Sequence, residues 1–264
     1  YHSTPCPLLI GPNLINGELM NFLKTVNRQD CPKKTGAVVY SALKDYKLVH
    51  VSSDKEMPEG LNNYYLQVAK CIGELCPMEE DLNTENKTGD LFTHIVYDER
   101  FPNSYRHSNT RQPLHTDGAY EANAPNISFF YCLTRSPFGG STTFINSDNL
   151  IHLMDVYKPS LLKSLRETPV TFYKGNDSKT KPIIDESGAL TWNWHRCDKT
   201  ELTQGFHDFL EKTIVGGRLT FALRLQEGEA VFFWDELMLH GRDAFLGHRH
   251  LIKGGLKYER PKDD

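Results

Sequence analysis

Two residues in the middle of the chain have the spacing and the chemistry of a metal-binding pair. His115 and Asp117 stand two residues apart, and on extended backbone the side chains at i and i+2 project to the same face. A second histidine, His240, lies far downstream and could complete a set of two imidazoles and one carboxylate. Such a set suits non-haem iron(II), because it leaves coordination positions open for a co-substrate and dioxygen.

Each of these residues also has a simpler structural interpretation. His115 and Asp117 fit a core histidine beside a turn or helix-capping aspartate. His240 follows an apolar segment and could be a buried structural histidine whose ring nitrogens form hydrogen bonds within the protein. In isolation these interpretations are the better ones, so the metal hypothesis depends on the other groups that the chain supplies.

An iron site that uses a 2-oxo acid needs a cation for the remote carboxylate of that acid. In a partly dry pocket arginine is preferred, because its planar guanidinium pairs with both carboxylate oxygens. Arg249 stands shortly after His240, and Thr142, at the end of a Gly-Gly-Ser-Thr segment, offers a hydroxyl. Taken singly, Thr142 could also be an ordinary threonine of a strand, and Arg249 could be a solvent-exposed arginine of a loop.

Residues that could contact a substrate lie on both sides of the predicted metal pair. Loop 98–112 leads directly into the pair and carries Arg106 and Asn109, while Tyr120 follows it closely. Trp194 belongs to a cluster of aromatic and polar residues of the kind found at the entrance of ligand pockets. A partly buried aromatic cluster with a purely structural role explains this segment equally well. We expect a small, polar, amino-acid-like substrate.

The composition and charge of the chain narrow its class. Its 264 residues, 39% hydrophobic and 24% charged, suit a single domain over residues 1–264. The net charge of −4 gives no support to a nucleic-acid or membrane partner, and no apolar run reaches the length of a membrane span. Six scattered cysteines without a Cys-x-x-Cys pair indicate reduced thiols in a cytoplasmic protein.

Apolar periodicity and turn residues predict many short strands with a few helices between them. The predicted helices cover residues 18–26, 61–76, 148–157 (with Asp148 as a cap) and 200–214. The predicted strands cover residues 36–40, 91–97, 127–133, 141–145, 170–173, 219–225, 230–234 and 251–258, and the main predicted loops 79–90, 98–112 and 175–180. This order favours an α+β, mainly β fold, a β-sandwich or jelly roll that can hold a site between its sheets, although other α+β arrangements remain open.

The candidate residues also fall into separated motifs that keep a fixed order along the chain. The order is His115-x-Asp117, Gly139-Gly140-Ser141-Thr142, Gly228-Glu229 before an apolar strand, Leu239-His240-Gly241-Arg242 and Arg249-His250-Leu251. From about Phe92 to Tyr258 this pattern resembles the taurine dioxygenase/TfdA-like family of Fe(II)- and 2-oxoglutarate-dependent oxygenases. The N-terminal third matches only loosely.

The resemblance implies a fold, a set of cofactors and a role for each motif residue. The fold would be a double-stranded β-helix (jelly roll) core over about residues 90–258 with covering helices. His115, Asp117 and His240 would bind Fe(II), and Thr142 and Arg249 would hold the far carboxylate of 2-oxoglutarate. Lys253 stands where some relatives carry an arginine for an anionic substrate, so it is a further candidate for substrate binding.

The resemblance also implies a reaction in which 2-oxoglutarate and O2 are consumed and succinate and CO2 are released. Related halogenases carry Ala or Gly in place of the carboxylate ligand, so the presence of Asp117 favours hydroxylation. Desaturation, epoxidation or cyclisation in a biosynthetic pathway would be other outcomes of the same cofactor chemistry.

Two further classes of function compete with this interpretation. A hydrolase could use Zn(II) on the same residues to activate water, but Arg249 and Thr142 would then have no task. A non-catalytic β-sandwich could bind a ligand or partner without turnover. Succinate release that depends on added Fe(II) would distinguish the oxygenase from both.

Overall fold

The structure, a computed structural model, describes residues 22–102 and 104–258. The α-helices in these residues are α1 (Pro32–Asp45), α2 (Leu61–Lys70), α3 (Ser147–Tyr157), α4 (Pro159–Glu167) and α5 (Glu201–Phe209). The strands are β1 (Leu23–Asn27), β2 (Leu48–Ser52), β3 (Glu74–Cys76), β4 (Phe92–Val96), β5 (Gln112–His115), β6 (Ile127–Thr134), β7 (Phe138–Gly139), β8 (Thr142–Asn146), β9 (Pro169–Lys174), β10 (Asp177–Pro182), β11 (Phe221–Leu223), β12 (Ala230–Trp234), β13 (Met238–Arg242), β14 (Phe245–Leu246) and β15 (His250–Lys257). A π-helical turn, Leu210–Val215, extends α5.

Two sheets pack face to face and form the core. The larger sheet has the strand order β1-β2-β12-β6-β15-β3, with β4 also paired to β15, and the smaller sheet has the order β11-β8-β13-β5. One buried cluster joins them, with Phe130 and Phe233 from the larger sheet and Phe144 and Met238 from the smaller one. The predicted α+β, mainly β fold with a double-stranded β-helix (jelly roll) core and covering helices is confirmed.

Helices α1 and α2 cover the outer face of the larger sheet. Phe129 and Phe232 of this sheet belong to the same buried cluster as Val39 of α1 and Val68 of α2. Strands β6 and β12 are therefore buried on both faces, which explains why their sequences are continuously apolar rather than alternating.

Helices α3, α4 and α5 cover the outer face of the smaller sheet. Ile145 of β8 and Leu239 of β13 pack in one cluster with Leu150, Leu165 and Phe206 of these helices. Helix α4 begins at Pro159, the residue that ends the predicted helix 148–157, because proline is well accommodated in the first turn of a helix. The inner face of the smaller sheet is left free for the larger sheet and for a site between them.

The predicted strand over residues 36–40 is wrong, because this segment lies in the middle of α1. Pro32 begins the helix, and Gly36, Val39 and Leu43 are buried at helical spacing. A Cβ at Gly36 would lie 2.6 Å from the Cβ of Cys71 just after α2, so glycine allows the two helices to approach closely. The run Val38-Val39-Tyr40 favoured a strand locally, and packing against α2 and the sheet overrides that preference.

Several other boundaries differ from the prediction. Residues 23–26 of the predicted helix 18–26 lie in β1, which pairs in parallel with β2, and residues 18–21 lie outside the described part.

The predicted helix 61–76 ends at Lys70, after which β3 pairs with β15. Helix α3 is capped by Asn146, whose side chain accepts the backbone N–H of Asn149 at 2.8 Å, and Asp148 instead lies in the first turn. The predicted loop 175–180 is mostly β10, a polar strand paired with β9, which hydrophobic patterning does not detect.

Two expectations concern features spread over the chain. In the described residues no helix is both long enough and apolar enough to span a membrane. Cys31, Cys71, Cys76, Cys132 and Cys197 are free thiols, and Cys6 lies outside the described residues.

The contribution of the aromatic contacts between the sheets to the free energy of unfolding can be tested by mutation. Phe233 is 0% exposed and packs 5.2 Å from the Phe144 ring and 5.0 Å from the His240 ring, between centroids. We expect Phe233→Ala to lower the free energy of unfolding by about 3–5 kcal/mol, because it leaves a cavity between the sheets. Phe138→Ala, at a residue that is 69% exposed, should change it by less than about 0.5 kcal/mol. Equal losses in urea unfolding would contradict this account of the core.

Candidate metal centre

His115 and His240 meet because β5 and β13 are antiparallel neighbours in the smaller sheet. The two residues are direct cross-strand partners, and their ring centroids are 4.3 Å apart. Both side chains face the larger sheet, where the His240 ring packs against Phe130 and Phe233 at 5.8 and 5.0 Å. Gly241 permits this pairing, since a Cβ there would lie 2.7 Å from the Gln112 carbonyl oxygen.

Asp117 lies two residues beyond the end of β5, and its carboxylate reaches both imidazoles. Its Oδ1 is 3.8 Å from His115 Nε2 and its Oδ2 is 3.7 Å from His240 Nε2. One ligand atom from each of the three residues lies within 4.8 Å of the others, and no other group of this kind is found in the described residues. The three side chains that the sequence singled out therefore converge.

Two polar side chains from the larger sheet fix the Asp117 carboxylate. The hydroxyl of Ser128 on β6 donates to Oδ2 at 2.9 Å, and the ammonium of Lys253 on β15 donates to Oδ1 at 2.5 Å. The side chains of Asp117 and Lys253 are 9% and 18% exposed. A buried carboxylate without such partners would be costly, so these contacts are what keep Asp117 ionised in the interior.

The pKa shifts of the three residues favour the forms that bind metal. Burial lowers the pKa of both His115 and His240, and in His240 the neighbouring His115 lowers it further. Burial alone would raise the pKa of Asp117, but the positive charge of Lys253 and its hydrogen bond lower it below its ordinary value. Neutral imidazoles and an ionised carboxylate are the protonation states that coordinate a cation.

The ring of His115 has its tautomer set by the backbone. Its Nδ1 lies 2.9 Å from the Pro113 carbonyl oxygen, which accepts a hydrogen bond and so places the ring proton on Nδ1. The lone pair of Nε2 then faces Asp117 and His240. The Nδ1 of His240, by contrast, is buried and has no hydrogen-bond partner among the described residues. This donor set fits a divalent cation that takes nitrogen and oxygen ligands.

Arg249 and Thr142 line the same cavity as the three converging residues. Arg249 directly precedes β15 and is 5% exposed, and Thr142 begins β8. No described residue forms an ion pair or a side-chain hydrogen bond with the Arg249 guanidinium, whose Cζ lies 5.6 Å from the Phe245 ring centroid. Burial, and then the charge of Arg242, lower the pKa of Arg249 to about 9, so it remains a cation at neutral pH. A buried cation without an acidic partner is suited to an anionic ligand.

The cavity between the sheets has a volume of about 760 Å³. Only some of the residues predicted to bind substrate lie in its wall. Tyr120, Lys253, Arg106 and Trp194 line it, whereas Asn109 does not. The Asn109 carbonyl accepts the backbone N–H of Phe245 at 3.0 Å, which is a structural contact. The structure thus leaves Asn109 without a place at the cavity.

Some residues of the cavity were not found by sequence reasoning. Glu80 lies in the loop 79–90, where its carboxylate accepts a hydrogen bond from the Tyr120 hydroxyl at 3.0 Å and pairs with Lys174. Arg242 donates to the carbonyl oxygens of Tyr105 and Ser108 at 2.8 and 2.9 Å and so holds the loop before β5 in place. The local sequence around Glu80 and Lys174 carries no such signal, because tertiary contacts bring them together.

Sequence comparisons relate the chain to known proteins. A family model described as taurine catabolism dioxygenase TauD, TfdA family matches residues 65–254. Gamma-butyrobetaine dioxygenase of Pseudomonas sp. (strain AK-1) is 29% identical over 200 residues, 67% of this chain and 51% of that protein. Trimethyllysine dioxygenase of Meyerozyma guilliermondii is 22% identical over 240 residues, 78% of this chain and 60% of that protein. The chain spans about half to three fifths of the length of these relatives.

A comparison of structures agrees on the fold. The crystal structure of an asparagine oxygenase in complex with Fe(II), 2S,3S-3-hydroxyasparagine and succinate has a TM-score of 0.65 to this chain. The match covers 88% of this chain and 93% of that one at 12% identity, so it supports the fold alone.

The convergence of three ligands predicts how metal binding responds to the loss of one. His240→Leu keeps an apolar side chain against Phe130 and Phe233 but removes an imidazole. We expect its affinity for Co(II), measured by anaerobic calorimetry, to fall more than about 100-fold, beyond what the loss of an outer-shell partner costs. His152→Leu, at an exposed residue of α3, should leave the affinity unchanged. Wild-type affinity in His240→Leu would remove His240 from the site.

Proposed function

The chain belongs to the taurine catabolism dioxygenase TauD, TfdA family, and from that premise we propose that it is an Fe(II)- and 2-oxoglutarate-dependent dioxygenase. Its reaction would be hydroxylation of an unactivated C–H bond of a small, polar, amino-acid-like molecule, with release of succinate and CO2. The observation that carries this proposal is the convergence of His115, Asp117 and His240 in a cavity that also holds the Arg249 guanidinium, which has no acidic partner in the described part of the chain.

His115, Asp117 and His240 would hold the iron. Bound Fe(II), with 2-oxoglutarate and dioxygen, supplies the oxidising power for the reaction. The chain keeps the imidazoles neutral through burial and keeps the carboxylate ionised through Lys253 and Ser128. The aromatic side chains of Phe130 and Phe233 pack against the His240 ring and keep water from that side of it.

Arg249, assisted by the Thr142 hydroxyl, would bind the far carboxylate of 2-oxoglutarate. A planar guanidinium pairs with both oxygens of a carboxylate, and such a pair is stronger when it is buried. The absence of an acidic partner for Arg249 among the described residues supports this role. Arg242 is also buried without an acidic partner, but it donates to three backbone carbonyl oxygens, whereas no described residue accepts a hydrogen bond from the Arg249 guanidinium.

The charges in the outer part of the cavity support a substrate that carries both signs. Glu80 pairs with Lys174, and Lys87 pairs with Glu121 at 3.0 Å, so acidic and basic groups lie next to each other in the lining. Lys253 is paired with Asp117, a proposed metal ligand, whereas the Glu80–Lys174 pair contains no proposed ligand. A substrate could exchange partners with Glu80 and Lys174 without disturbing the metal site, which favours them over Lys253 as substrate contacts. The two dioxygenases that are similar in sequence are named for butyrobetaine and trimethyllysine, which carry a cationic nitrogen and a carboxylate.

Tyr120, Trp194 and Arg106 would shape the substrate pocket. The Tyr120 hydroxyl is held by Glu80, and Arg106 is paired with Glu79 at 2.5 Å, so both are fixed before a substrate arrives. The Trp194 ring is stacked on His207 with centroids 4.1 Å apart and presents a rigid aromatic surface. Asn109 is not part of this proposal.

The proposal is tested by succinate release from 2-oxoglutarate in air with added Fe(II), over a panel of free amino acids and betaines. We expect at least one panel member to stimulate release, and mass spectrometry should show that it has gained one oxygen atom. A product that has instead lost two hydrogens would indicate desaturation or cyclisation. Turnover without Fe(II), or no succinate with any panel member, would argue for the hydrolase or for the non-catalytic binding protein.

The role of Arg249 predicts a selective loss of co-substrate affinity. Arg249→Gln should raise the KM for 2-oxoglutarate roughly 10- to 100-fold, since the loss of charged hydrogen bonds costs about 1.5–3 kcal/mol. Co(II) affinity should not change, because Arg249 is not a ligand of the proposed metal. Arg166→Gln, at an exposed residue of α4, is the matched control. An unchanged KM in Arg249→Gln would show that another cation holds the co-substrate.

A further inference from the structure

Asp235 is a buried acid next to the metal centre that sequence reasoning did not identify. It begins the 3₁₀ turn Asp235–Leu237, which connects β12 of the larger sheet to β13 of the smaller one. The residue is 3% exposed, and its backbone N–H donates to the Asn126 carbonyl oxygen at 2.9 Å. A carboxylate is rarely buried so deeply unless it has a specific set of partners.

One oxygen of Asp235 lies next to two of the three proposed metal ligands. Its Oδ1 accepts the backbone N–H of Asp117 at 3.0 Å. The same Oδ1 is 3.7 Å from Nδ1 of His240, just beyond hydrogen-bond distance. That Nδ1 is the buried ring nitrogen that has no hydrogen-bond partner among the described residues.

We infer that Asp235 is a positioning residue whose side-chain oxygen orients both Asp117 and His240 for metal binding. The inference rests on the proposed function, since it assigns a role toward the metal of that site. It concerns Asp117, just beyond the end of β5, and His240 on β13, so a single side chain would link two ligands from distant segments. Asp235 itself belongs neither to the residues that line the cavity nor to the three converging ligands.

The chemistry of the His240 ring gives Asp235 this role. The ring presents Nε2 to Asp117, with 3.7 Å between Nε2 and Oδ2, so Nε2 must carry the lone pair and Nδ1 the proton when metal binds. Metal-bound histidines commonly donate that second N–H to a carboxylate or to a carbonyl, which fixes the ring and makes it a better ligand. A small rotation of His240 would bring Nδ1 within hydrogen-bond distance of Asp235.

The backbone carbonyl of Met238 is the competing acceptor near the same ring. A carbonyl contact would need no acid at residue 235 and would not couple His240 to Asp117. The Asp117 N–H, held by Asp235, already shows that the acid serves one of the ligands. Burial and the negative charge of Asp117 raise the pKa of Asp235 well above its ordinary value, which favours the neutral acid. An oxygen of the neutral carboxyl group still accepts a hydrogen bond.

The test compares Asp235→Leu with Asp235→Asn and Glu236→Gln in anaerobic Co(II) calorimetry. Leucine has a similar shape but removes the acceptor oxygen, asparagine keeps that oxygen, and Glu236 is the adjacent, exposed acid. We expect Asp235→Leu to weaken Co(II) binding about 10- to 100-fold and to alter the Co(II) absorption spectrum, with Asp235→Asn and Glu236→Gln close to the wild type. Unchanged affinity and spectrum in Asp235→Leu would overturn the inference in favour of the Met238 carbonyl.

A second measurement separates positioning from general support of the fold. The metal-free form of Asp235→Asn should unfold at the wild-type temperature, because asparagine keeps the acceptor oxygen for the Asp117 N–H. A lower unfolding temperature and weaker Co(II) binding in Asp235→Leu, without a change in the Co(II) spectrum, would indicate a structural role and count against positioning. If Asp235→Leu does not fold, Asp235→Ala takes its place with the same expected outcomes.

The same experiments distinguish this inference from the proposed function. Co(II) binding requires no turnover, so it reports on Asp235 even if no substrate is found. Succinate release by the wild type with unchanged Co(II) affinity in Asp235→Leu would leave the function standing and remove the inference. Weaker Co(II) binding in Asp235→Leu, without succinate release by the wild type, would support the inference and remove the function.

Discussion

The antiparallel pairing of β5 with β13 is the constraint on which the rest of the site depends. It places His115 opposite His240 on the face of the smaller sheet that packs against the larger one. Because side chains alternate along a strand, a slip of one residue in either strand would turn one imidazole toward the covering helices. The register is held on the other side of β13 by β8, where His240 pairs with Phe144 of the core between the sheets.

Compensation of buried charge is the second constraint, and it differs between the two ends of the site. At the metal end, Asp117 is neutralised by Lys253 and bonded by Ser128, both from strands of the larger sheet. At the other end, Arg249 is 5% exposed and has no anion of its own among the described residues. Arg242 also lacks an anion there, but its guanidinium donates to backbone carbonyls. The Arg249 guanidinium is therefore the buried cation that suits an anionic ligand.

The sequence was sufficient to identify the chemistry-bearing residues and the central strands. His115, Asp117, His240, Thr142 and Arg249 could be named in advance because they stand in ordered motifs, and all of them line one cavity. Strands β6 and β12 were detected because burial on both faces makes them continuously apolar. The jelly-roll core followed from these strands and from the family resemblance.

What the sequence did not predict depends on contacts between distant segments. The strand propensity of residues 36–40 yields to packing of α1 on α2, and the polar strand β10 has no apolar pattern to reveal it. Glu80 and Lys174 are 94 residues apart and meet only in the folded chain. Asp235 stands in a short turn, and its position beside Asp117 and His240 follows from the sheet topology rather than from any local motif.

The central claim is that three side chains hold Fe(II) while the positions beside it stay open to 2-oxoglutarate anchored on Arg249. The most direct measurement is an anaerobic titration of the Fe(II)-loaded protein with 2-oxoglutarate, followed by visible absorption. The account predicts a new absorption band that saturates at one 2-oxoglutarate per iron, because chelation requires both open positions and a held far carboxylate. Iron binding without any new band on adding 2-oxoglutarate would contradict it.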